Sequence, residues 1–233
     1  VKAMILAAGL GKRMRPLTDH TPKPLLSVAG KPLLQYHLEK LQQAGIREVV
    51  INLAYLGEQI RRFVGDGQAF GLAVHYSEEP EPLETGGALL QALPLLGEAP
   101  FLLINGDVWT DYPLTELAQP ALPDSIDGRL LLVPNPEFHP VGDFALTDDQ
   151  RLSLAEDAPR HTFAGISLLR PGLIADYPKK RRLFPLLEAL QPAITAGRLE
   201  GRLHTGAWSD VGTPERLTQL RRTTGDTREV TQP

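Results

Sequence analysis

Short apolar runs alternate with stretches of helical periodicity through the first half of the chain, and few architectures tolerate that rhythm. Ala3 to Ala7 is apolar throughout and precedes a glycine-rich turn. Leu34, Leu38 and Leu41 then share one face of a helix over Pro32 to Ala44, which Gly45 ends. Val49 to Leu53 reads as a strand, Glu58 to Val64 as a short helix, Leu72 to Tyr76 as a strand, Thr85 to Leu96 as a helix and Phe101 to Ile104 as a strand. Strands apolar on both faces belong in a sheet covered on both sides. The pattern predicts an α/β fold, a mixed, mainly parallel sheet flanked by helices.

After Asp107 the rhythm changes. Arg129 to Val133, Asp143 to Leu146 and Phe163 to Leu169 read as strands without long helices between them, and Leu183 to Ala196 and Pro214 to Arg222 as late helices. Ligands of open α/β sheets bind beyond the carboxyl ends of the strands, so this half is expected to wall a site at that edge. The organisation expected is one domain over 1–222, with a first half at about 1–110, a second at about 111–222 and a flexible polar tail at 223–233. A chain of 233 residues with 42% apolar content can build such a core.

Composition removes several functions. With 24 Lys plus Arg against 28 Asp plus Glu, the chain lacks the positive field of a nucleic-acid or anionic-membrane binder. Zero cysteines exclude a disulfide framework, a thiolate nucleophile and a cysteine-ligated metal. The six histidines form no metal-ligand spacing. Lys12, Arg13 and Arg15 follow the first apolar run, the reverse of a secretory signal, and no window is apolar enough to span a membrane. A cytoplasmic protein is the expectation.

Within this acidic chain stands a basic island. Lys12, Arg13, Arg15, Lys23 and Lys31 face a single carboxylate, Asp19, over residues 12–31. Gly9 and Gly11 free the turn ahead of it for close backbone approach, and successive amides in such a turn cradle anions. Met14 stands where a dinucleotide fingerprint needs a third small residue, and Arg13 where a Walker A loop needs Ser or Thr. The loop therefore suits phosphate through another design.

Two carboxylates stand out. Asp107 follows an apolar strand through Asn105 and Gly106, and Asp210 lies in a turn between Trp208 and Gly212. Either caps its own turn or the two share Mg²⁺, which takes one or two carboxylates plus substrate phosphates. The turn Thr85-Gly86-Gly87 opens a helix whose free amides could meet a ribose or base edge.

Together these blocks resemble a family. Gly9-Leu-Gly-Lys-Arg-Met-Arg-Pro-Leu-Thr18 with Pro22-Lys23-Pro24, then Leu83-Glu84-Thr85-Gly86-Gly87-Ala88, Asn105-Gly106-Asp107 and Trp208-Ser209-Asp210-Val211-Gly212-Thr213 are similar to the motifs of the sugar-1-phosphate nucleotidylyltransferases. The resemblance spans residues 6–213 in the family's order. It implies a Rossmann-like, GT-A-type sheet with a smaller sugar-binding subdomain, and transfer of a nucleotidyl group from a nucleoside triphosphate to a sugar 1-phosphate with release of pyrophosphate.

Carried over residue by residue, Ala8, Gly9, Gly11, Lys12 and Arg13 resemble the triphosphate loop, with Arg13 on the β and γ phosphates. Lys23 resembles the lysine on the α phosphate, and Arg13 and Lys23 are the expected catalytic cations. Thr85, Gly86 and Gly87 resemble the nucleoside contact, although Glu84 stands where many relatives have Gly. Asp107 and Asp210 resemble the Mg²⁺ ligands, and Asn105, Asp143 and Glu156 the sugar contacts. Asp157 replaces a lysine that many relatives set on the sugar phosphate.

The Leu-Glu-Thr-Gly-Gly block, Asn-Gly-Asp-Val-Trp and the short second half are similar to the branch that uses N-acetylmuramate 1-phosphate and UTP in bacterial cell-wall recycling. Other pairings within the family are GTP with mannose or heptose 1-phosphate and dTTP or UTP with glucose 1-phosphate. A non-catalytic relative that only binds a nucleotide sugar is a further alternative. Retention of Arg13, Lys23, Asp107 and Asp210 argues against it.

Overall fold

The computed structural model describes residues 1–226. The first half is the expected alternation. Strand β1 (Lys2–Leu6) is followed by a looped segment carrying a small hairpin, β2 (Ser27–Val28) and β3 (Lys31–Pro32), and then by α1 (Leu33–Gln43). Next come β4 (Glu48–Leu53), α2 (Gly57–Val64), β5 (Ala73–Glu78), α3 (Glu84–Leu96) and β6 (Phe101–Asn105). β1 pairs in parallel with β4 and β6, and β4 with β5, so that Ile5 faces Ile51 on one side and Ile104 on the other.

Alternate residues of these strands enter different cores, which is why the runs are apolar without a break. Ile5, Ile51 and Ile104 join Leu38, Leu41 and Ile60 on one face. Met4, Val50 and Leu103 join Leu89 and Ala92 on the other.

The second half contains β7 (Val108–Thr110), α4 (Leu114–Ala118), β8 (Gly128–Val133), β9 (Phe144–Leu146), β10 (Leu152–Ser153) and β11 (Arg160–Leu169). It continues with α5 (Gly172–Ala175), α6 (Leu186–Thr195), β12 (Leu199–Leu203), β13 (Trp208–Asp210) and α7 (Pro214–Thr223). β11 runs antiparallel to β6 and β8 and, through its first residues, to β9. Among the described residues the two halves thus share one mixed, nine-stranded sheet. β11 breaks register between Phe163 and Ser167, around Gly165 at φ +77°, where a Cβ would lie 2.8 Å from Asn105 Nδ2. The break lies in the ladder between β11 and β8, as a bulge that bends the strand locally.

Several elements differ from the sequence expectation. The late helix starts at Leu186 rather than Leu183, behind Pro185, and the residues before it lie against α3. The strand β12 and the short ribbon formed by β7 and β13 are additional. Of the expected tail, Thr223 closes α7 and Asp226 Oδ2 accepts the Ala29 amide at 2.7 Å. Residues 227–233 lie outside the described residues.

Candidate active site

At the carboxyl edge of the parallel strands the chain leaves β1 through Ala7, Ala8 and Gly9, which line a pocket of about 270 Å³. Lys23, Thr85, Asn105 and Asp107 line it too. Its floor is a hydrogen-bonded chain absent from the sequence expectation. The Ala7 amide donates to Asn52 Oδ1 at 2.6 Å, and Asn52 Nδ2 donates to Glu79 Oε1 at 2.8 Å. Glu79 is buried, and loss of water pushes its carboxyl above the usual range against the pull of the Asn52 and Leu83 hydrogen bonds.

The basic loop is clamped rather than loose. Gly11 adopts φ +62°, and the Thr18 hydroxyl donates to its carbonyl at 2.6 Å. A Cβ at Gly11 would fall 2.9 Å from Thr18 Cγ2, so glycine is required for conformation and for space. Met14 and Leu17 anchor the loop in a buried cluster that also holds Val211 and Leu217. Arg13 and Asp210 are therefore each one residue from a member of the same packed unit. Lys12 is exposed and lines neither this pocket nor the neighbouring one described below.

The two aspartates meet. β13 pairs with β7 so that Asp210 faces Val108, and the Val211 amide donates to the Asp107 carbonyl at 2.8 Å. Lys23 Nζ donates to Asp107 Oδ2 at 3.0 Å. Arg216 Nη1 lies 3.2 Å from Asp210 Oδ1, at ion-pair distance but without hydrogen-bond geometry. Asp210 Oδ1 is thus buried with no hydrogen-bond donor among the described residues. Burial and then the charge of Asp107 push the Asp210 carboxyl upward, and Arg216, Lys23 and Arg13 oppose that shift.

An orphaned, buried carboxylate oxygen beside a second carboxylate is a donor set that fits a divalent ion. Among the described residues no group of three or more acidic, His or Cys side chains makes a complete cage. Mg²⁺ does not require one, since it takes one or two carboxylates and leaves its remaining positions to water and phosphate.

A second pocket of about 330 Å³ adjoins this pair and is lined by Arg13, Phe138, His139, Asp143, Trp208, Asp210 and Arg216 among others. Asp143 Oδ2 accepts the Phe163 amide at 2.7 Å, and its Oδ1 lies 3.0 Å from His139 Nε2. Trp208 donates Nε1–H to the Ala164 carbonyl at 2.9 Å and so lines the pocket, whereas Trp109 packs edge-on against Tyr36.

Besides Lys12, the expected residues Gly11, Glu156, Gly86 and Gly87 line neither pocket. Glu156 is exposed and outside both pockets. The amides of Gly86 and Gly87 both donate to the Phe184 carbonyl, at 2.9 and 3.2 Å, and are not offered to a nucleotide. A Cβ on Gly86 would lie 2.5 Å from Phe184 Cε2, and one on Gly87 would strike the Arg182 carbonyl. These glycines admit the 182–184 segment against α3, a packing task. Glu84 adopts φ +58°.

Asn52, Glu79, His139, Phe138 and Arg216 were not anticipated. Arg216 carried a legible signal: it falls three residues after Thr213, whose hydroxyl accepts its amide at 3.4 Å as the cap of α7. A cation in the first turn of a helix opposes the macrodipole.

Residues 2–141 match the family model described as Nucleotidyl transferase. The chain is 48% identical, over 97% of its length and 99% of the relative's, to the N-acetylmuramate alpha-1-phosphate uridylyltransferase of Neisseria meningitidis serogroup B. It is 35% identical to the protein of that name from Caulobacter vibrioides, over 91% of this chain and 92% of the other. In structure it is similar to a putative glucose-1-phosphate thymidylyltransferase from Bacillus anthracis, with a TM-score of 0.86 at 21% identity, covering 98% of this chain and 96% of that one. The chain belongs to the nucleotidyl transferase family, as a member of its sugar-1-phosphate group.

Proposed function

We propose that the protein transfers the uridylyl group of UTP to N-acetylmuramate 1-phosphate, giving UDP-N-acetylmuramate and pyrophosphate. The observation that carries the reading is the convergence of Lys23, Asp107, Asp210 and Arg13 where the two pockets adjoin. The substrate pair follows the relatives that are 48% and 35% identical to the chain.

In this reading the nucleotide takes the pocket beside Ala8, Gly9 and Thr85, and the sugar takes the pocket beside Asp143. An oxygen of the sugar phosphate attacks the α phosphorus in line. The bond from that phosphorus to the bridging oxygen breaks, and pyrophosphate leaves with the electron pair. The attacking oxygen is ionised at neutral pH, so no protein base is needed.

Lys23 donates to the α phosphate and Arg13 to the departing phosphates, where charge builds up in the transition state. Mg²⁺, held by Asp107 and Asp210, supplies further neutralisation of the phosphate charge when bound. Holding both substrates on rigid elements provides the rest of the rate. The reading places the reaction in the cytoplasm and its product in bacterial cell-wall recycling. No helix among the described residues is long and apolar enough to cross a membrane.

A matrix of four nucleoside triphosphates against N-acetylmuramate, N-acetylglucosamine, glucose and mannose 1-phosphates, read by pyrophosphate release, tests the assignment. The expected result is the highest kcat/KM with UTP and N-acetylmuramate 1-phosphate. Preference for any other pair would replace the substrate assignment.

A further inference from the structure

Arg216 is an oddly placed cation. Its side chain is only 18% exposed, and its guanidinium carbon stands 3.6 Å from the centre of the Phe138 ring. It sits in the first turn of α7, where the helix dipole disfavours positive charge. No hydrogen bond is made by its guanidinium among the described residues, and its contact with Asp210 lacks hydrogen-bond geometry. A planar fork of five donors, mostly withdrawn from water and held to Asp210 by charge without a hydrogen bond, has donors free for an anion that arrives from outside.

The surroundings indicate which anion. Gly212 keeps the space next to the guanidinium clear, since a Cβ there would lie 2.7 Å from Arg216 Nη1 and 2.8 Å from Asp210 Oδ1. Arg13 Nη2 approaches the same point at 3.3 Å. In the same pocket Asp143 is fixed by the Phe163 amide and faces His139, a pairing suited to hydroxyl groups. The pocket therefore carries both hydrogen-bonding groups for hydroxyls and two guanidinium groups, Arg13 and Arg216. A sugar 1-phosphate carries the matching groups, hydroxyls on the ring and a dianion at the anomeric end.

We propose that Arg216, braced by the Phe138 ring, binds the phosphate of the acceptor sugar 1-phosphate. It thereby does what no lysine at position 157 can do in this chain, where Asp157 is exposed and outside the pocket. The inference rests on the functional reading only in taking a sugar 1-phosphate as acceptor.

The test compares wild type with Arg216→Gln, Arg216→Lys and Phe138→Leu. It uses steady-state kinetics and calorimetric titration of each substrate alone, with melting temperatures to verify folding. Arg216→Gln is expected to weaken the sugar 1-phosphate, in KM and in direct binding, by roughly ten- to a hundredfold. UTP binding should stay within about twofold of wild type. Arg216→Lys should restore part of the loss, because a point charge replaces the fork, and Phe138→Leu should cause a smaller loss of the same kind.

An equal loss of UTP affinity would overturn the proposal by moving Arg216 to the triphosphate. A fall in kcat with both affinities intact would also overturn it, by making Arg216 a mere support for Asp210. N-acetylmuramate and N-acetylglucosamine 1-phosphates are measured in parallel. A penalty confined to the former would mean that Arg216 reads the lactyl carboxylate, again against the proposal. Should wild type prefer another sugar 1-phosphate, the substrate assignment fails, while the same comparison with that sugar still decides the role of Arg216.

Discussion

Asp107 and Asp210, remote in sequence, are held side by side by backbone: the Val211 amide donates to the Asp107 carbonyl at 2.8 Å, and Asp210 pairs with Val108 across a ribbon of three-residue strands. The backbones that carry the two carboxylates are thus held together by main-chain pairing. Burial first, and then the charge of Asp107, push the Asp210 carboxyl upward. A divalent ion held by the two carboxylates would offset that charge.

Asp107→Ala and Asp210→Asn should each reduce pyrophosphate release at least about a hundredfold, the scale of losing one electrostatic element of a transition state. Their effects on stability should differ. A raised carboxyl pKa means that the folded chain holds the proton more tightly than the unfolded one, so the stabilisation is present in acid and lost as pH rises through the folded value. At neutral pH without metal, Asp210→Asn is therefore expected to melt above wild type. A lower melting point in metal-free buffer would contradict the electrostatic account.

His37, buried in α1, is held down to about 4, chiefly by loss of water, with the charge of Lys40 adding to the effect. A His with a depressed folded pKa adds stability above its unfolded value of 6.5 and loses it as pH falls toward the folded value. The loss should reach roughly 3 kcal/mol between pH 7 and pH 4. Urea unfolding of wild type and His37→Gln over that range measures it, and parallel pH profiles for the two proteins would disprove it.

Gly87→Ala should destabilise the fold by about 1–3 kcal/mol, because its Cβ meets the Arg182 backbone and cannot be relieved by a rotamer change. Gly86→Ala, against Phe184, should behave similarly. In both variants the UTP affinity of the remaining folded protein should be close to that of wild type, since neither glycine lines the pocket. Titration calorimetry below the melting transition separates this from a nucleotide-contact role.

Glu84→Gly should stabilise the protein by up to about 1 kcal/mol. A non-glycine residue pays a steric penalty at φ +58°, which glycine avoids at a smaller cost in unfolded-chain entropy. Glu84→Ala, which keeps the Cβ, should bring no such gain. Melting temperatures of the two variants decide the point.

Much of the molecule was written in local patterns. The parallel half follows from uninterrupted apolar runs, because strands such as Lys2–Leu6 and Phe101–Asn105 bury both faces. Glu156 and the Gly86-Gly87 pair show the limit of such patterns. A motif states which residues occur together, but it does not state which way an amide points or whether a loop reaches the pocket.

The chain alone determined the βα rhythm, the glycine-bound basic loop and the position of Asp107 at a strand end, because each depends on residues that are neighbours in sequence. Only the tertiary structure decided that Asp210 joins Asp107, that Asn52 and Glu79 underlie the first pocket, and that Arg216 faces Phe138. These contacts join segments far apart in the chain through three-residue strands and single side chains. Such elements are too short to carry a hydrophobic period, so their partners are selected by packing of the whole core and not by local preference.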